Sequence, residues 1–153
     1  MSWVTGRAIV SGMDDFSNIV TRTFAFLVDK HGFQLVSGPR QSSLDSVTYE
    51  KKPILIEFGW YKGEIDIHFR VDLENEIFRP YRSRTFALSK VALWRDKNAY
   101  CNAPKFPNYI TTLSEAETWL QFEAAVMKKF CEPILHGDLG ILEAITQGRR
   151  ATT

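Results

Sequence analysis

Apolar residues recur at helical spacing near the start of the chain, alternate with polar ones through its middle, and return to helical spacing toward its end. In "DDFSNIVTRTFAFLVDKHGF" the residues Phe16, Ile19, Val20, Thr23, Phe24 and Leu27 fall on one face. The spacing predicts a helix with Asp14 as N-cap and Gly32 as the stop. Beyond it, "FQLVSG" and "SVTYEK" alternate with period two on either side of the turn-rich "GPRQSSLDS", which predicts a pair of strands.

The stretch "EFGWYKGEIDIHFR" continues the alternation across Lys62-Gly63. If these two residues form a two-residue hairpin turn, Tyr61 pairs with Glu64 and the register follows outward. Trp60 then meets Ile65, Phe58 meets Ile67, Ile56 meets Phe69 and Ile54 meets Val71, so that the apolar pairs fall together on one face. The opposite face pairs Gly59 with Asp66, Glu57 with His68 and Leu55 with Arg70.

"LENEIFRPYRSR" loses the alternation and contains a proline, so it reads as a loop, whereas "FALSKVALWRDKN" predicts a short helix with Leu88, Val91 and Trp94 on one side. "NAPKFPNYITT" is a proline-bearing connector. The longest helix is expected over "SEAETWLQFEAAVMKKFCEPIL", opened by Ser114 and Glu117 as a capping box. Its polar stripe, Glu117, Gln121, Lys128 and Glu132, is narrow beside Trp119, Leu120, Phe122, Val126, Met127 and Phe130, which implies packing on more than one side. Pro133 should bend or end it, and Asp138 should cap a final helix in "LGILEAITQG". A helix, then strands, then helices describe one α+β domain over residues 1–153, with an antiparallel sheet of about four strands and helices on its apolar face. Residues 1–12 and 149–153 are expected to be loosely ordered.

A chain of 153 residues with 44% hydrophobic and 24% charged positions can bury a core without staples. Basic and acidic side chains number 4 and 5 in residues 1–50, 10 and 7 in 51–100, and 5 and 6 in 101–153, so only the middle leans basic. That is short of the footprint of a dedicated nucleic-acid binder. The two cysteines, Cys101 and Cys131, lack metal or redox spacing. With no apolar run of signal-peptide or membrane-spanning length, a reduced, cytoplasmic protein is expected.

Several groups could carry chemistry or contacts. Glu57, Asp66 and His68 share the polar sheet face, where a carboxylate beside an imidazole could orient a base or bind a metal. A solvated face with cross-strand charge pairs is the plainer reading. Arg79, Arg82 and Arg84 interleave with Phe78 and Tyr81 in a segment that could grip phosphates, stack bases or meet a protein. Tyr61 is expected to point outward at the hairpin tip, as a contact for a partner, while Trp60 points inward. His136 in "ILHGDLG" has the look of a His-x-Asp pair, although Gly137 and Asp138 fit helix-end positions, and His31 falls at a helix C-terminus that favours an imidazolium. No catalytic or cofactor motif is recognisable, and neither a cofactor nor a metal is expected.

The opening helix ending in "FLVDKHGF", the strand "SVTYEK", the hairpin "ILIEFGWYKGEIDIHFRV" and the closing "ILHGDLGILEAI" together resemble small bacterial α+β proteins, many uncharacterised and some similar to immunity proteins that neutralise a toxin. The resemblance implies a protein partner and carries no functional residues across. The formal charge of +1 departs from the acidic character of immunity proteins that block nucleases. The expectation is therefore a non-enzymatic, protein-binding domain that does not engage a membrane. The alternative is an enzyme or small-ligand binder with a pocket between the sheet and the C-terminal helices, and RNA binding through residues 79–84 ranks lower.

Overall fold

The structure is a computed structural model that describes residues 12–37, 45–72 and 85–148. It opens with α1 (Gly12–Thr23) and the short α2 (Ala25–Asp29). The single expected helix is thus interrupted at Phe24, and its start at Gly12 places Asp14 inside the first turn rather than at the N-cap. Gly32, with φ 76°, supplies the left-handed residue at which the helical segment stops.

Five strands follow: β1 (Gln34–Ser37), β2 (Asp45–Lys51), β3 (Ile54–Tyr61), β4 (Glu64–Val71) and β5 (Thr85–Ala87). They form one antiparallel meander in sequence order, so the expected α+β class holds with one strand more than the alternation suggested. β5 covers only three residues before a helix, too few for a period of two to show. The β3–β4 register pairs Tyr61 with Glu64 and runs without interruption to Ile54 opposite Val71, as the hairpin reading required. Lys62 and Gly63 both have positive φ, 53° and 83°, the signature of a type I′ turn whose twist matches the strands.

One face of the sheet builds the core. Val47, Tyr49, Ile56, Phe58, Ile67, Phe69 and Phe86 are buried on it, because alternate residues of every strand point the same way. α1 packs on β2 and on α4 (Leu113–Phe130), contributing Phe16, Ile19 and Val20. α3 (Leu88–Arg95) lies against β4, β5 and α4, so α4 is covered from two sides, which explains its wide apolar surface. At Cys131 the helix gives way to α5 (Glu132–Leu135), with Pro133 in its first turn where a missing N–H costs nothing. α6 (Gly140–Thr146) closes the described chain.

The capping box of α4 is Thr112 with Glu115, not Ser114 with Glu117. The Thr112 hydroxyl accepts from the Glu115 N–H at 3.1 Å, and the Glu115 carboxylate accepts from the Thr112 N–H at 3.2 Å and the Thr111 N–H at 2.9 Å. These donors hold the Glu115 carboxyl below its ordinary pKa. At α6 the N-cap is Leu139 rather than the expected Asp138, whose carboxylate, one residue earlier, accepts the Gly140 N–H at 2.9 Å in a local turn. No helix among the described residues is long and apolar enough to cross a membrane.

Candidate functional site

The hairpin turn does not stand free. The Gly63 carbonyl accepts from the Ile110 N–H at 2.9 Å, and the Trp60 indole donates to the Ile110 carbonyl at 3.1 Å. The connector that precedes α4 is thereby stitched to the tip of β3–β4. Tyr109 lies so close to the turn that a Cβ on Gly63 would run into the Tyr109 side chain. Glycine is needed here twice over, for its positive φ and for the room it leaves.

A cleft of about 400 Å³ opens between this turn, the start of β4, the connector and α4. Phe106, Tyr109 and Trp119 supply its aromatic wall, and Glu64 and Asp66 bring two exposed carboxylates to it. The rings of Trp119, Phe122 and Tyr100 pack together behind, with Trp119 and Phe122 centroids 5.7 Å apart. The indole N–H of Trp119, shielded from solvent, has no hydrogen-bond partner among the described residues. Beside the cleft Tyr61 is 47% exposed and Tyr109 59% exposed, with Leu113 nearby in sequence also open to solvent. The Lys62 ammonium sits over the Tyr61 ring, 5.2 Å from its centroid. Tyr61 therefore points outward as its register position implied, while Trp60 is half-buried against Phe16, ring centroids 5.7 Å apart.

The polar sheet face is arranged differently from a catalytic dyad. Thr48, Glu57, His68 and Ala87 form one row across β2 to β5, so Glu57 does stand opposite His68. The Glu57 carboxylate, however, accepts from the Arg70 guanidinium at 2.9 Å. The His68 Nδ1, shielded from solvent, has no partner among the described residues. Asp66, two residues along, belongs with the hairpin-tip cleft. The three residues share a face but no common chemical centre. Among the described residues no group of three His, Cys, Asp or Glu side chains is placed to hold a metal ion. Arg79, Tyr81, Arg82 and Arg84 lie outside the described residues.

Two histidines gain a setting that the sequence did not reveal. His31 is 6% exposed, and its pKa is lowered by burial first and then by His136, Lys30 and Lys51, against the raising effect of Glu132. The helix-end preference for an imidazolium is thus outweighed by lost hydration and surrounding cations. The His136 ring meets it edge to face at 4.9 Å and pairs with Glu132 at 3.4 Å rather than with Asp138.

Glu123 was not singled out by its motif context, yet it is the most unusual carboxylate described. It is 4% exposed on the buried face of α4 and accepts from the Tyr100 hydroxyl at 2.6 Å. Burial pushes its pKa up to about 7, the hydroxyl bond opposing the rise. The signal was present: position 123 falls between Leu120 and Met127 on the apolar stripe, where a glutamate is out of pattern. It is not a lining residue of the cleft, so the geometry gives it a packing role.

Comparison with protein-family models, with curated proteins and with solved structures gave no match.

Proposed function

We propose that this chain is a non-enzymatic protein-binding domain, immunity-like in the sense of capturing one partner, and that it does so at the hairpin tip. The observation that carries the reading is the cleft itself. Two exposed tyrosines and a wall of aromatic side chains flank two carboxylates of β4, beside a turn stitched to the connector by the Ile110 contacts. Tyrosine offers a large contact area with few rotors, which is why it recurs among the residues that dominate interface energies. Because the turn is held before binding, less ordering entropy is lost on association.

The chemistry of the cleft selects its occupant. Carboxylates beside aromatic faces suit a basic side chain, an arginine or lysine presented by the partner, through charge-assisted hydrogen bonds and cation–π contact. The partner we propose is thus a protein that inserts a cationic residue between Tyr109 and Asp66. A cytoplasmic setting belongs to the same proposal.

Affinity capture of the tagged protein from its native lysate, after nuclease treatment, supplies the partner to be tested. Its binding is then compared for the wild type and for Tyr109→Ala and Asp66→Lys. The expected result is a loss of about tenfold or more in affinity for each variant, the scale of a hot-spot residue. A captured protein that binds both variants like the wild type overturns the reading.

A further inference from the structure

Near the C-terminal end of β2, the ends of α2 and α5 and the last turn of α4 border a second cavity of about 260 Å³. Its lining is Phe26, Lys30, His31, Lys128, Glu132 and Leu135. Two ammonium groups, those of Lys30 and Lys128, belong to this lining. A third is adjacent, since Lys51 donates to the Leu135 carbonyl at 3.0 Å. One carboxylate in the lining faces them, and it is shared: Glu132 lies 3.6 Å from Lys30 and 3.4 Å from the His136 ring. Lys128 rests over the Phe26 ring, 4.7 Å from its centroid.

His31 borders the same cations. Burial and the fields of His136, Lys30 and Lys51 disfavour its imidazolium, and Glu132 only partly offsets them. Its Nδ1 has no hydrogen-bond partner among the described residues. A cavity whose walls are positive, donor-rich and only partly neutralised suits an anion.

We propose that this cavity binds a small oxyanion, the carboxylate or phosphate group of a ligand whose remaining body lies on Phe26. Lys30 and Lys128 provide the charged donors, and Glu132 holds Lys30 and His136 in place rather than facing the ligand alone. The volume falls just below the usual range of roughly 300–1,000 Å³ for drug-sized ligands, so the occupant has few atoms. The site is independent of the hairpin-tip cleft and stands or falls separately.

The test uses the whole purified chain, titrated with benzoate and separately with inorganic phosphate at constant ionic strength, with chloride as the control. Ring signals of His31 and His136 are followed by NMR. The expected result is a saturable shift at His31 with benzoate, with phosphate or with both, and a rise in the His31 pKa on saturation, since the anion stabilises the imidazolium. Saturation by benzoate alone assigns a carboxylate ligand, and saturation by phosphate alone assigns a phosphate. Lys128 is exposed, so Lys128→Ala should keep the fold, checked by an unchanged Tm, and weaken binding about tenfold. A response no greater than that to chloride, or one that Lys128→Ala leaves unchanged, overturns the proposal.

Discussion

The Tyr100 hydroxyl donates a hydrogen bond of 2.6 Å to the Glu123 carboxylate, joining the turn after α3 to the middle of α4 within the protein interior. This carboxyl has a folded pKa of about 7 against an ordinary value of 4.5, raised by burial. The neutral acid is the form the fold prefers. Its contribution to stability is therefore complete below about pH 4.5 and is lost as pH rises through about 7. A rise of this size corresponds to about 3 kcal/mol at most. Urea unfolding of the wild type and Glu123→Gln from pH 5 to 8 should show the variant gaining relative stability as pH rises. The subtraction removes the opposite contributions of Glu115 and Glu132, whose pKa values are lowered. Parallel curves would show that Glu123 titrates as an ordinary exposed acid.

The turn at Lys62-Gly63 should respond oppositely to two substitutions. Gly63→Ala places a side chain at φ 83° and into Tyr109, which costs about 1–2 kcal/mol from the backbone alone. Lys62→Asn puts at φ 53° a residue better suited to the left-handed region and should stabilise by a few tenths of a kcal/mol. Thermal melts of both variants check the pair. If Gly63→Ala melts with the wild type, the close approach of Tyr109 is not what holds the turn.

At the start of α4, Thr112→Ala should destabilise by about 0.5–2 kcal/mol, the range for a lost N-cap. Ser114→Ala should sit within about 0.5 kcal/mol of the wild type, because Ser114 is exposed and its carbonyl, not its hydroxyl, takes part in a bond to Thr118. Chemical denaturation of the two variants separates the two possible capping boxes. Equal effects would contradict the observed cap.

The Glu57–Arg70 ion pair on the polar face joins side chains that are 34% and 44% exposed. Its coupling in a double-mutant cycle should be about 0.2–1 kcal/mol and should shrink in high salt. His68→Ala should leave that coupling unchanged, since the carboxylate is held by Arg70. A coupling that vanished with His68 would mean that the three side chains act together.

Much of this fold can be read from the order of residues. In β3 and β4 the period of two and a two-residue turn leave one register that puts all four apolar pairs on one face, and that register is the observed one. The helical stripe of α1 and the broad apolar surface of α4 likewise state what they pack against. Tyr61 could be placed outward for the same reason, since a strand position decides the side of the sheet.

Other features depended on segments far apart. The sequence holds two overlapping sets suited to a capping box, Thr112 with Glu115 and Ser114 with Glu117, and nothing local separates them. Ile110, tied to Gly63 and Trp60, constrains how the chain enters α4. The cleft at Tyr109 exists because the same contacts bring a connector to a turn more than forty residues earlier. What the sequence determined by itself is therefore the sheet register and the apolar faces, which follow from periodicity over neighbouring residues. What the tertiary structure decided is which polar groups meet: Tyr100 with Glu123, His31 with His136, and Glu57 with Arg70 rather than His68. Burial and hydrogen-bond geometry choose among such partners only after the helices and strands have docked.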